Sequence, residues 1–318
     1  MNSYYDCLHN ESKYGYEKEY FWVSGICLVV VGMFGLFGNL TNFIILWQGN
    51  LRKNSFYQLL NALAFFDICF IVSFGIRDGY QALACEPQNE YVSHFTYQAL
   101  NIALTGSTYM TIAISLERYL GICRPRWKTR RGAWRYVLPV VIITVSYNLP
   151  RFFERQYFIV NGTLQSNTTE FSHSESYKFG YHFLASTIIN TLIPMASLVV
   201  LNGAIIATIT RNSRQLQEVV GCDSHRRKNM TNILFSIVTC FIIFHLPRVI
   251  YKSLYYFGNS DDAFRRKWWF IVPIKKLTLM MNSSINFVIY CLLGKTFRNE
   301  LYRFLRLSRY VSKENIRI

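Results

Sequence analysis

Apolar residues in this chain fall neither into the every-second pattern of a half-buried strand nor into the one-sided stripe of a soluble helix; they fill whole blocks. Residues 21–51 contain no Asp, Glu, Lys or Arg, and 54–76 contain one charge, Asp67. Residues 91–116, 179–210 and 229–247 contain none, and a shorter clean run covers 136–150. A last region begins at Trp268, is interrupted by Lys275 and Lys276, and runs clean over 277–294. About 20 mostly apolar residues let a helix cross the hydrocarbon core of a bilayer. Lipid offers the backbone no hydrogen-bond partner, so each block is expected to be a helix. The pattern predicts seven crossings, with a short amphipathic segment following the seventh. Seven buried helices of a large soluble protein would show polar faces, and these blocks leave little room for them.

Composition agrees: 51% of the 318 residues are hydrophobic, 17% aromatic and only 16% charged, against roughly 25% charged in an average soluble domain. The net charge of +16 matters through its placement. One set of alternate connections, 48–54, 122–135, 211–228 and 295–318, carries 20 Lys or Arg and 4 Asp or Glu. The other set, 1–20, 81–92, 151–178 and 256–267, carries 8 basic and 11 acidic residues. Basic residues collect on the cytoplasmic side, so a plasma-membrane protein with the N-terminus outside and the C-terminus in the cytoplasm is expected. The basic residues flank spans and face lipid head groups and cytosolic partners, which argues against nucleic acid. Acceptor sequons at Asn10, Asn161 and Asn167 fall on the side expected outside. Met1 is followed by polar and acidic residues, so the first span is expected to direct its own insertion.

Polar residues inside the blocks are costly and mark function by default. They come one set per span: Gly38-Asn39, then Leu63-Ala64-Phe65-Phe66-Asp67, then Glu117-Arg118-Tyr119 followed by Pro125. Pro194 and Pro247 interrupt the fifth and sixth spans, and the seventh reads Asn282-Ser283-Ser284-Ile285-Asn286-Phe287-Val288-Ile289-Tyr290. In that order, over residues 21–307, the set resembles the rhodopsin-like G-protein-coupled receptors. Asn148-Leu149-Pro150-Arg151-Phe152-Phe153-Glu154, Asn202, His245-Leu246-Pro247-Arg248, and Phe287 where most of the superfamily has proline are similar to the invertebrate FMRFamide-type neuropeptide receptors.

The resemblance implies a receptor with three divisions: an extracellular segment over 1–20, the seven-span domain with its eighth helix over 21–307, and a cytoplasmic tail over 308–318. It implies an activation set of Glu117, Arg118, Tyr119, Phe241, His245, Pro247 and Tyr290, with Arg118 reaching a heterotrimeric G protein. The acidic partner common on the sixth helix is not evident, Arg226, Arg227 and Lys228 occupying that region, so a loosely locked inactive state is expected. It places Ser107, Asn282 and Asn286 beside Asp67, with Asn39 close. Such an oxygen-rich cluster suits an allosteric sodium ion, or else a protonated carboxyl in a hydrogen-bonded group. Leu100 stands where an amine receptor needs a carboxylate, and Met280 where an opsin needs its lysine. Both charges and aromatic residues line the outer helix ends, and a short peptide with aromatic and arginine side chains suits them. Glu154, Arg248, Lys276 and Phe152 are the expected ligand contacts; for the lysines, snorkelling to the interface is the alternative.

The superfamily's disulfide between the third helix and the second external loop has no counterpart: Ser93 stands at the helix position and 151–180 contains no cysteine. Cys7 and Cys85, the two external cysteines, are expected to pair. An enzyme is not expected, since no nucleophile–base or metal-ligand set lies in the spans. Alternatives are a receptor for another peptide, an orphan receptor, or a transporter or channel, although no internal repeat supports the last.

Overall fold

The computed structural model describes residues 21–47, 51–79, 90–125, 132–160, 163–216, 221–257, 268 and 270–305. Cys7, Cys85, Asn10, Asn161 and the segments 1–20 and 308–318 lie outside them, as do the side chains of Cys222 and of 226–228. Helix α1 (Leu28–Leu46) opens with a wider turn, Phe21–Cys27. Helix α2 (Ser55–Phe74) starts at Asn54, whose side chain accepts the Phe56 N–H at 3.0 Å and satisfies one of the open amides of the first turn. Helix α3 (Glu90–Cys123) has 34 residues, a length of about 50 Å at 1.5 Å per residue. Helix α4 (Trp134–Asn148) ends in a tight turn, Leu149–Phe153. A two-stranded antiparallel ribbon follows, β1 (Arg155–Val160) and β2 (Thr163–Thr168), with Arg155 opposite Thr168 and Val160 opposite Thr163.

Helix α5 (Ile193–Leu216) is preceded by two loosely wound stretches, Ser176–Ala185 and Ile188–Leu192. Helix α6 (Gly221–Phe257) contains Pro247. Helix α7 runs in two pieces, Ile271–Ser284 and Asn286–Leu293, bent by 41°. No proline sits at that bend. The Ser284 hydroxyl donates to the carbonyls of Met280 (2.8 Å) and Val31 (3.2 Å), and serine bonding back one turn is a recognised cause of helix bending. Helix α8 (Lys295–Phe304) turns off after Gly294; Phe297 packs on Tyr290 and Phe287, and Arg298 donates to the Leu292 carbonyl at 2.8 Å, closing the end of α7.

The packing is inside out relative to a soluble protein. Val30, Phe34 and Phe37 of α1, Leu138 and Ile142 of α4, and Val199 and Val200 of α5 are exposed, while Asn39, Asp67, Ser115, Asn148 and His245 are buried. Such a surface is stable against hydrocarbon rather than water. Six helices are long and apolar enough to cross a membrane, and the bent α7 makes the seventh. Helix α3 occupies the centre, against α2, α4, α5 and α6, and α7 closes the ring onto α1. Two close approaches depend on missing side chains. A Cβ on Gly35 would collide with Ser284 of α7, and one on Gly106 with the Phe66 ring of α2. The bundle is the expected all-α membrane fold, with the ribbon as a local addition.

Candidate functional site

Polar side chains concentrate at the ribbon end of the bundle, in its middle, and at the end marked by Arg118. At the ribbon end, the turn after α4 carries Arg151 inward until it is 3% exposed. Its Nη1 donates to the Tyr97 hydroxyl at 2.8 Å, its guanidinium lies 5.3 Å from the Tyr181 ring centre, and its carbonyl accepts from Gln98 at 2.8 Å. Tyr147, Tyr181 and Tyr177 stack at 5.4 and 5.1 Å. The column ends on Glu154, whose Oε1 accepts from the Tyr177 hydroxyl at 2.6 Å and meets His182 Nε2 at 3.1 Å. Burial pushes the Glu154 carboxyl up, but the bonds from His182 and Tyr177 and the Arg151 charge outweigh it and hold the group below its usual range. In place of a disulfide, the ribbon is rooted on α3 by Tyr157, whose ring packs on Tyr91 and His94 at 5.4 and 5.6 Å.

Helices α6 and α7 add cations. Arg248 is 8% exposed and its Nη1 has no acceptor. Lys252, one turn on, donates to the Ser186 hydroxyl at 2.6 Å. Lys275 lies 3.6 Å from the centre of the Tyr251 ring, and Lys276 pairs with Asp78 at 2.6 Å. The four expected ligand contacts therefore divide. Glu154 and Lys276 are engaged within the protein, Phe152 is exposed, and Arg248 is buried without an acidic partner among the described residues.

In the middle, Asp67 is fully buried. Ser107 donates to its Oδ1 and Asn286 to its Oδ2, each at 2.7 Å. Asn39 bonds instead to the carbonyls of Gly35 and Ser283, at 2.9 and 2.8 Å. Asn282 makes no hydrogen bond to Asp67; Ser283, one residue on, is the buried neighbour, and its hydroxyl faces the carboxylate. No group of three or more His, Cys, Asp or Glu side chains suited to a metal exists among the described residues.

Below this layer His245 stacks on Phe241 at 3.9 Å between ring centres, and its Nδ1 bonds to the Phe241 carbonyl at 3.0 Å. A carbonyl only accepts, so Nδ1 carries the hydrogen. At the far end Arg118 Nε is 2.6 Å from Glu117, and the guanidinium covers the Phe56 ring at 4.2 Å. Tyr119 is partly buried, while Tyr290 is buried against Phe297.

The model of the seven-transmembrane receptors of the rhodopsin family matches residues 38–290. The chain is 27% identical to the FMRFamide receptor of Drosophila melanogaster, over 92% of its own length. It spans only 55% of that receptor, about half. It is 25% identical to an FMRFamide peptide receptor of Caenorhabditis elegans, over 88% of this chain and 68% of that one. Over 95% of its length and 83% of the other, it is 23% identical to the type-1 angiotensin II receptor A of Xenopus laevis.

Proposed function

Since the chain belongs to the rhodopsin family of seven-transmembrane receptors, a family of receptors rather than enzymes, we propose that it is a cell-surface receptor for a short amidated peptide of the FMRFamide type, signalling to a heterotrimeric G protein. In this reading the ribbon end faces outside and the Arg118 end the cytoplasm of a plasma-membrane protein. The observation that carries it is the ribbon end itself. Rings of Tyr97, Tyr147, Tyr177, Tyr181 and Tyr251 alternate there with Arg151, Arg248, Lys252 and Lys275, a surface suited to a peptide's side chains and backbone carbonyls. The FMRFamide receptors among its relatives point the same way.

Transmission follows from α6. Pro247 has no N–H to donate to the carbonyl four residues earlier, so the helix is weakened there. Arg248 and Lys252 lie on the ligand side of that point; His245, Phe241, Val238 and Ile237 are buried on the other. Pulling on the outer half tilts the inner half against α3 and α5. At the base of α3, Glu117 and Phe56 hold Arg118, which in this reading is released toward the G protein. The shift in population cannot exceed the ligand's preference for the active state. A sodium ion held by Asp67, Ser107 and Ser283 would supply positive charge opposing that shift.

The test is a library of amidated peptides applied to cells carrying the receptor, with a second-messenger readout, then nucleotide exchange on a purified G protein. Activation by a member of the Arg-Phe-amide class supports the reading. A ligand-independent ionic current from the purified protein, with no nucleotide exchange, overturns it.

A further inference from the structure

We infer that the activating peptide carries a carboxylate and delivers it to a basic cluster made by the buried Arg151 and Arg248 and the half-buried Lys252 and Lys275. This rests on the peptide-receptor reading and narrows it. The cations come from the turn after α4, from successive turns of α6, and from α7. None makes an ion pair with an acid among the described residues. Arg151 has the Tyr97 hydroxyl and the Tyr181 ring, Lys252 the Ser186 hydroxyl, and Lys275 the Tyr251 ring. Two nitrogens, Nη1 of Arg248 and Nε of Arg151, are buried with no acceptor among the described residues. The nearby acids are committed elsewhere: Glu154 to Tyr177 and His182, and Asp78 to Lys276.

Buried charge is stable only when paired or fully hydrogen-bonded, and removing one partner of a buried pair is strongly unfavourable. Among the described residues Arg151 and Lys275 feel nearby acids, Glu154 and Asp78, which are already bonded elsewhere, and the other two have neutral partners, so the cluster is an incomplete site. Its missing component is an anion with more than one acceptor oxygen. A carboxylate supplies two oxygens in the spacing that a guanidinium grips with parallel bonds. A terminal amide offers one neutral carbonyl oxygen, and a peptide arginine would be repelled here. The carboxylate has two possible sources, an acidic side chain or a free C-terminus.

The experiment uses the full-length receptor in cells and a set of peptides ending in Arg-Phe-amide. Each member is made in an Asp and an Asn version at every position before the Arg-Phe pair, and each also as the free C-terminal acid. One register is expected at which Asp exceeds its Asn isostere by about tenfold or more in potency, as close charge pairs at interfaces allow. In Arg248→Gln and Lys252→Gln, matched for surface labelling, that gap should close to within about threefold. If the gap appears between free acid and amide instead, the carboxylate is the C-terminus: the cluster assignment stands and the amidated-ligand reading is overturned. Peptides that activate equally well with and without a carboxylate overturn the inference and leave the receptor reading intact. A gap unchanged in both variants likewise overturns it. Silence toward every peptide overturns the peptide reading and the inference with it.

Discussion

A buried carboxylate and a buried guanidinium are stabilised by different means in this protein. Asp67 is stabilised by donors, Ser107 and Asn286, and Arg118 by a neighbouring anion and a ring. Replacing Asp67 with Asn keeps the shape and removes the charge. The melting temperature of the purified receptor is expected to be higher in sodium than in choline chloride, as for any ligand that binds only the folded state. In Asp67→Asn that difference should vanish; a sodium effect that survives the substitution contradicts the assignment. Glu117→Gln weakens the clamp on Arg118, and ligand-independent nucleotide exchange should rise severalfold, about 1 kcal/mol of bias toward the active state. Asp67, Glu117 and Arg118 could be read from sequence because a charge inside an apolar block has few explanations. Tyr97, Gln98, Tyr177 and His182 could not. A neutral polar residue in a span carries little signal, and their partner Arg151 reaches them only because the turn after α4 folds inward. Asn282 was expected beside Asp67; the register of α7 brings Ser283 inward instead.

At the scale of elements, the ribbon carried a signal in the sequence that went unread, whereas its anchors carried none. Asn161-Gly162, the usual two-residue hairpin dipeptide, stands between 155–160 and 163–168, and the strands on either side of it pair with each other and are held by Tyr157 on α3. The Glu154 link to Tyr177 and His182 ties the base of the ribbon to the start of the α5 region. A carboxyl held below its usual range in the folded state contributes stability above that range and loses it as pH falls through it. Protection of β1 and β2 from hydrogen exchange, taken relative to the unstructured chain at each pH, should therefore hold from neutral pH down to the ordinary carboxylate range and should fall only below it. Glu154→Gln should raise exchange there at neutral pH, at a cost of about 1.5–3 kcal/mol for hydrogen bonds to a charged acceptor. The helices themselves were legible as blocks, and α8 ends at Phe304, close to its expected limit near residue 307. The contacts that set their spacing were less so. Gly35→Leu forces α1 away from Ser284, and reduced surface expression with a lower melting temperature is expected.

For the whole molecule, the requirement that every backbone amide be satisfied inside lipid settles the architecture before any side chain is considered. It makes the chain a multi-pass membrane protein, and the asymmetry of its basic residues supports one orientation. With the ribbon end outside, trypsin added to intact cells should leave 211–228 uncut until the membrane is permeabilised. Asn167, exposed on β2, should carry a glycan that Asn167→Gln removes, seen as a mobility shift. Cleavage of 211–228 on sealed cells would reverse the orientation and exchange the roles of the two ends.

The ribbon is seated on the bundle by rings, a guanidinium and main-chain oxygens, and the stretch 151–180 has no cysteine. A joint of that composition is indifferent to thiol reductants. It yields to heat and to agents that compete for aromatic and cationic surfaces. Dithiothreitol should leave the seating of the ribbon on α3 unchanged, whatever it does to a bridge between Cys7 and Cys85.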